Sequence, residues 1–228
     1  MTPEQYDAWY DTPRGRWIGE LEWTAVRHAL RLQTSDTVLD VGCGTGWFTR
    51  RAESVAAHVV GLDIDPASLD FARHKAAGRA EYLTGDATRL PFADAAFDKV
   101  MSVAALCFVT DWASAIAEIA RVCRDRFAIG LLNRHSVLYL RKGRHGGTGA
   151  YEGAHWHTKA EVENSMRALP VAQWRISYGV FDASGSYAAR LLERVAPETL
   201  PFGSFLLLAG QCGPGVLSSA SRPRSRHS

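Results

Sequence analysis

From residue 37 onward, short runs of β-branched and other apolar residues alternate with stretches of helical character. This alternation predicts an α/β fold in which helices cover both faces of a mostly parallel sheet. Strands are expected at 37–41, 58–64, 80–85, 97–103, 126–132, 171–179 and 202–210.

The predicted helices carry recognisable start signals. One helix should occupy 47–54, and another should run from Pro66 to Lys75 after Asp65, an N-cap followed by proline. Asp111 caps a third, in which Ile116, Ile119, Ala120 and Cys123 recur at helical spacing. Thr158, with Glu161 three residues later, forms the capping box of a fourth.

Several segments fall outside the strand–helix alternation. Residues 1–33 are expected to be an N-terminal helical cover, and 186–196 an inserted helix. The segment 134–157, which contains the Gly-rich stretch 143–153, is either a substrate lid or an idle connection. We therefore expect one domain at 1–212, followed by a disordered Ser/Arg-rich tail at 213–228.

Composition limits the classes of function. The chain has 228 residues, 46% of them apolar, and a formal charge of +2, which does not favour a nucleic-acid partner. No apolar run approaches the roughly 20 residues that a membrane span needs, so we expect a cytoplasmic protein with no membrane partner. The four scattered cysteines predict reduced thiols. The sequence carries no signal for an oligomeric state.

The first strand ends in a turn with three glycines, Gly42, Gly44 and Gly46. Glycines there let main-chain amides approach a ligand. A dinucleotide fingerprint needs a third glycine where Trp47 stands, and no Gly-Lys-Ser/Thr follows as in a phosphate-binding P-loop. Asp40, two positions before the first glycine, would repel a pyrophosphate and attract a cation. The turn therefore favours a positively charged ligand.

The stretch DVGCGTG, residues 40–46, resembles the D/E-x-G-x-G-x-G motif of class I S-adenosylmethionine-dependent methyltransferases. Further landmarks follow in the order of that family: GLDID, GDATRLPF and FDKVMSVAALCFVTD, so that the resemblance covers roughly 37–133. It looks most like the small-molecule branch grouped as type 11. The resemblance implies a Rossmann-like sheet of order 3-2-1-4-5-7-6 with the last strand antiparallel, and S-adenosyl-L-methionine as cofactor.

The resemblance also implies roles for individual residues. Asp40 would position the amino group of the cofactor, Asp63 would bind the ribose hydroxyls, and Ile64 would pack on adenine. Asp86 would accept from the adenine amine, the Ala87 amide would serve a ring nitrogen, and Val103 would lie beside the methionine chain. The expected cofactor-binding residues are Asp40, Gly42, Cys43, Gly44, Gly46, Asp63, Ile64, Asp86, Ala87 and Val103, with Cys43 a small filler.

The N-terminal segment is a candidate for the other side of the cofactor. Tyr6, Trp9 and Tyr10 are either cover for the methyl-transfer centre or core contacts, and Arg14 is a candidate partner of the cofactor carboxylate. His135, after the fifth strand, is the candidate catalytic base, because histidine is the residue type that most often serves as a general base. Alternatively it caps the strand or lies in solvent.

The following loop contributes candidates for the acceptor pocket, namely Tyr139, Tyr151, His155 and His157. Two histidines at i, i+2 without a carboxylate or cysteine partner are weak evidence for a metal, and none is expected.

The methyl acceptor is expected to be a small, hydrophobic or aromatic metabolite methylated at oxygen or carbon. Instead of the Asn/Asp-Pro-Pro-Tyr/Phe turn of nucleobase and glutamine N-methyltransferases, the fourth strand leads into SVAAL. Leu106, Phe108 and Val109 predict an apolar pocket wall. The alternatives are a non-catalytic regulatory protein that binds the cofactor and, less favoured, a nicotinamide-dependent oxidoreductase.

Overall fold

A computed structural model describes residues 1–76 and 78–213. Its strands are β1 Thr37–Val41, β2 His58–Asp63, β3 Glu81–Thr84, β4 Phe97–Val103, β5 Cys123–Leu132, β6 Gln173–Gly179 and β7 Phe205–Gln211. Its helices are α1 Pro3–Trp9, α2 Pro13–Leu30, α3 Trp47–Glu53, α4 Pro66–Lys75, α5 Trp112–Val122, α6 Lys159–Arg167 and α7 Tyr187–Val195.

The seven strands form one sheet in the order β3-β2-β1-β4-β5-β7-β6. β1 to β5 run parallel to one another, and β7 runs antiparallel to both β5 and β6. The predicted fold class and strand order are confirmed. Because β1 lies between β2 and β4, successive strands are added on one side of β1 up to β3 and on its other side from β4 onward. α/β folds bind ligands at the point where the strand order reverses in this way.

Two apolar layers sandwich the sheet. On one face, α5 and α6 pack on β-strand residues that include Phe127, Ile129 and Leu131. On the other face, α2 and α3 pack on residues that include Met101 and Ala128. In β5, alternate residues enter opposite layers, as the two-residue period of a strand requires.

The N-cap residues predicted for α4, α5 and α6 make the expected capping hydrogen bonds. Asp65 accepts from the main-chain N–H groups of Ala67 and Ser68 to cap α4. Asp111 caps α5 by accepting from the Ser114 N–H, and Thr158 with Glu161 forms a reciprocal capping box at α6.

Boundaries differ from the sequence expectation at five strands. β2 ends at 63 rather than at 64, and β3 occupies 81–84 rather than 80–85. β5 begins at Cys123 rather than at 126, β6 begins at 173 rather than at 171, and β7 begins at 205 rather than at 202. β5 gains its extra residues because Cys123 pairs with Phe97 across an irregularity in the β4–β5 register. Most of the expected disordered tail at 213–228 lies outside the described residues.

The expected flanking segments take specific forms. The 1–33 cover consists of α1 and α2, and the 186–196 insertion consists of α7 between β6 and β7. The loop 134–157 contains a π-helical turn at Tyr139–Gly143 and two 3-10 turns. No helix among the described residues is both long and apolar enough to cross a bilayer.

Candidate active site

A cavity of about 1040 Å³ opens at the carboxyl ends of β1 to β5. Its lining includes residues 42–45 after β1, 63–65 after β2, 85–88 after β3 and 103–106 after β4. Residues of α1, α2 and the 134–157 loop complete it. The cavity therefore lies beside the point where the strand order reverses.

Gly42 and Gly44 of the glycine turn present bare main chain to this cavity, whereas Gly46 is not among the lining residues and faces Tyr82. Gly42, Gly44 and Gly46 have φ angles of +73°, +52° and +76°, in the left-handed region. A Cβ on Gly42 would lie 2.2 Å from the Cβ of Ala105, so that position has no room for a side chain. A Cβ on Gly44 would meet nothing within 4 Å, because the turn faces open space there.

Asp40 lies beneath the turn with only 1% of its surface exposed. Its Oδ2 accepts a hydrogen bond from the Thr49 hydroxyl at 2.7 Å. Burial raises the pKa of Asp40 to about 7, with a smaller contribution from the charge of Asp63 and with opposition from the Thr49 hydrogen bond. A cation close to this carboxyl would favour its ionised form.

Asp63 connects the end of β2 to the glycine turn. Its Oδ2 accepts from the Gly44 N–H at 2.7 Å, and its Oδ1 accepts from the Asp65 N–H at 2.9 Å. Each carboxylate oxygen retains a further lone pair for a ligand hydroxyl. The next side chain, Ile64, is 71% exposed and lines the cavity as an apolar surface.

Asp86 holds the loop after β3. Its Oδ1 accepts from both the main-chain N–H and the hydroxyl of Thr88, each at 2.8 Å, and these bonds hold the pKa of Asp86 below its usual range. The second carboxylate oxygen has no such partner among the described residues. Ala87 and Val103 also line the cavity, on either side of the glycine turn.

The N-terminal helices close the cavity. Tyr6, Trp9, Tyr10 and Arg14 all contribute to the lining. Tyr10 stacks on Trp47 with ring centroids 4.2 Å apart, so the residue that replaces the third glycine of a dinucleotide motif anchors the N-terminal segment instead. The Arg14 Nε donates to the carbonyl oxygen of Ala183 at 2.5 Å, which holds its guanidinium at the cavity rim.

Asp7 fastens α1 to the rest of the domain. Its carboxylate, 2% exposed, accepts from Arg50 of α3 at 2.8 Å and from Lys75 of α4. Burial opposes ionisation, but the hydrogen bonds from Lys75 and Arg50 hold the pKa of Asp7 below its ordinary value.

The end of the cavity beyond Val103 is largely apolar. Its side chains come from the turn after β4, the end of β5, α2 and the 134–157 loop: Ile18, Leu106, Phe108, Val109, Leu132, Leu138 and Tyr151. The expected apolar wall of Leu106, Phe108 and Val109 is therefore present.

His135 does not reach this cavity. It is exposed and absent from the lining, because the chain turns outward after Asn133, whose side-chain oxygen accepts from the His135 N–H. The catalytic assignment of His135 is not supported, and the solvent position matches the alternative reading.

Of the loop residues expected at the acceptor pocket, only Tyr151 lines the cavity. Tyr139 packs against Trp156. His157 is fully buried beside Trp112, and burial lowers its pKa to about 4. Tyr139 and His157 therefore contribute to the packing beneath the loop and not to the cavity.

Sequence reasoning missed several lining residues. Asp65, interpreted only as a cap, lines the cavity as well, together with Ser68. Glu22 also belongs to the lining, as does Ile18. The sequence feature that could have identified Ile18 and Glu22 is their four-residue spacing from Arg14, which places all three residues on one face of α2.

Comparison with known proteins gives the same picture. Residues 39–126 match the type 11 family model described as a methyltransferase domain. A malonyl-[acyl-carrier protein] O-methyltransferase of Serratia marcescens is 39% identical over 89 residues, which are 39% of this chain and 34% of that protein. An uncharacterized protein of Mycobacterium tuberculosis is 36% identical over 166 residues, 71% of this chain and 55% of the relative.

A solved structure from Thermotoga maritima, an S-adenosylmethionine-dependent methyltransferase described as a possible histamine N-methyltransferase, superposes with a TM-score of 0.70. It is 21% identical, and the superposition covers 91% of this chain and 94% of that one. This likeness shows a common fold. The alignments with the two curated relatives span about a third and about half of their lengths.

The strand order and the acidic glycine turn define a Rossmann-like protein of the kind that binds S-adenosylmethionine. Residues 39–126 therefore carry the methyltransferase domain of the type 11 family, and the chain shares its fold with the class I S-adenosylmethionine-dependent methyltransferases. S-adenosyl-L-methionine is the cofactor of that class, and the open main chain at Gly44 above a buried carboxyl suits its charged methionine part.

Proposed function

We propose that this protein transfers the methyl group of S-adenosylmethionine to a small hydrophobic or aromatic metabolite, at oxygen or carbon, by in-line displacement. The observation that carries this proposal is one continuous cavity with a polar, acidic end at the glycine turn and an apolar end beyond Val103. The cofactor supplies an electrophilic methyl group. The protein holds an acceptor in line with it and excludes water.

In this proposal each site residue has a definite task. Asp40 attracts the ammonium group of the cofactor, Asp63 accepts from the ribose hydroxyls and Ile64 packs on the adenine. Asp86 uses its free oxygen for the adenine amine, and the Ala87 amide serves a ring nitrogen. Gly42, Cys43, Gly44 and Val103 surround the methionine part, Gly46 supports the turn from behind, and Arg14 lies at the rim for the carboxylate.

Incubation with S-adenosylmethionine labelled in its methyl group tests the reaction. We expect label to appear on members of a panel of small phenols, enols and aliphatic acids, and mass spectrometry to locate it on oxygen or carbon. Tight binding of the cofactor without any labelled product would favour a regulatory protein. Binding of NADH in preference to S-adenosylmethionine would contradict the proposal.

A further inference from the structure

Glu22 lies on the cavity face of α2, at the apolar end. Arg14, Ile18 and Glu22 follow one another at four-residue spacing, and all three line the cavity. Glu22 is partly buried, and within residues 1–76 and 78–213 its side-chain carboxyl takes part in no hydrogen bond and no ion pair. It is therefore a carboxyl group whose oxygens remain available to a ligand.

The other carboxyl groups of the cavity are already engaged. Asp40 accepts from Thr49, and Asp63 accepts from two main-chain N–H groups. Asp65 and Asp111 cap helices, and Asp86 accepts from Thr88. Among the described lining residues, Glu22 is the carboxyl group without a partner.

The surroundings of Glu22 place it on the acceptor side of the cavity. Burial raises the pKa of Tyr10, Tyr151 and Cys107, and the charge of Glu22 raises each of them further. The pKa of Tyr6 is raised by burial and by the charges of both Glu22 and Asp63, so Tyr6 lies between the two ends of the cavity. These groups come from the N-terminal segment, the 134–157 loop and the turn after β4. By contrast, the charge that acts on the pKa of Asp40 is that of Asp63, at the cofactor end.

The same surroundings suit a base. Tyr6, Tyr10, Tyr151 and Cys107 are neutral near pH 7, and Arg14 is the cation on the same helix face. Burial raises the pKa of Glu22 to about 8, which strengthens it as a proton acceptor. General bases work best when their pKa lies near the working pH.

We propose that Glu22 is the catalytic base that removes the proton of a weakly acidic hydroxyl on the methyl acceptor, an inference that rests on the proposed function. The O–H bond of the acceptor breaks and its proton passes to a carboxylate oxygen of Glu22. An oxygen electron pair forms the new O–CH3 bond, the electrons of the broken C–S bond remain on sulfur, and Glu22 returns the proton to water.

Two phenols distinguish this role from a structural one. 4-Methylphenol is neutral and needs a base, whereas 4-nitrophenol is already ionised at mildly alkaline pH and needs none. With labelled S-adenosylmethionine, we expect Glu22→Gln to reduce kcat for 4-methylphenol by roughly 100-fold or more. The rate with 4-nitrophenol should change only a few-fold, and the pH profile for 4-methylphenol should lose its rising limb.

Three controls complete the experiment. Glu20→Gln makes the same chemical change on the exposed side of α2, where Glu20 pairs with Arg51, and should leave both rates unchanged. Glu22→Asp keeps a shorter carboxyl and should restore part of the rate. Isothermal titration with S-adenosylhomocysteine should give the same affinity for wild type and Glu22→Gln, because Glu22 lies away from the cofactor end.

The failures are separable. If the wild type labels phenols and Glu22→Gln slows both equally, or slows neither, the role of Glu22 is wrong while the proposed function stands. If the wild type binds the cofactor but labels neither phenol, the proposed function in its oxygen-acceptor form fails, and the role of Glu22 fails with it.

Discussion

At the scale of single residues, the cofactor end of the cavity depends on a buried carboxyl that is poorly solvated. Asp40 has one hydrogen bond, from Thr49, and no cation beside it among the described residues. Its pKa of about 7 means that a proton remains bound near neutrality. An arriving ammonium group would displace that proton, because an opposite charge lowers the pKa of a carboxyl.

This argument gives a calorimetric prediction. Titration of S-adenosylhomocysteine near pH 7, in buffers of different ionisation enthalpy, should show release of about half a proton attributable to Asp40. Asp40→Asn should remove that release and weaken binding. Asp70→Asn, at an exposed position of α4, serves as the matched control. Equal proton release from wild type and Asp40→Asn would show that Asp40 does not meet the ammonium group.

The residue scale also shows what the sequence could reveal. Asp40 and Asp63 lie near the ends of β1 and β2, and the glycines and Asp86 lie in the turns after β1 and β3, so their place at one edge of the sheet followed from the order of elements. The positions of Glu22 and His135 could not be predicted in this way, because each residue belongs to a segment whose orientation is set by packing. α2 turns Glu22 inward, whereas the hydrogen bond between Asn133 and the His135 N–H accompanies an outward turn.

At the scale of elements, α1 is a short cover held by one buried carboxylate. With seven residues, α1 is too short to be stable alone. Its Thr2 capping box orders the first turn, but Asp7, Arg50 and Lys75 connect it to α3 and α4. Hydrophobic periodicity carries no information on a contact between such distant sequence positions. The N-terminal helical cover could therefore be predicted, whereas the ion pairs that hold it to α3 and α4 could not.

Loss of the Asp7 carboxylate should therefore detach α1 while leaving the domain folded. We expect Asp7→Asn to speed amide hydrogen exchange across residues 3–9 and to weaken S-adenosylhomocysteine binding, because α1 lines the cavity. The far-ultraviolet spectrum should change little. Glu4→Gln, an exposed change in the same helix, should reproduce neither effect. Unchanged exchange in Asp7→Asn would refute the anchoring role.

At the scale of the whole molecule, the groups of the cavity make stability depend on pH. Folded Asp40 and Glu22 keep their protons to about pH 7 and pH 8, whereas in the unfolded chain they lose them near pH 3.8 and pH 4.5. Between these limits the folded state binds more protons, so their contribution to stability falls as pH rises. His157 acts in the opposite sense, because its folded pKa of about 4 lies below the ordinary 6.5.

The two opposing contributions separate above about pH 7, where His157 is mostly neutral in both states. From there to about pH 8, the free energy of unfolding of the ligand-free protein should fall, by at most about 1.4 kcal/mol. Urea unfolding at several pH values measures this fall. The double variant Asp40→Asn/Glu22→Gln should remove it, whereas Asp70→Asn/Glu20→Gln should retain it. A wild-type free energy of unfolding that stays constant or rises over this interval would mean that both cavity carboxyls are already ionised. The raised pKa values would then no longer support Asp40 as the partner of the cofactor ammonium group or Glu22 as the base.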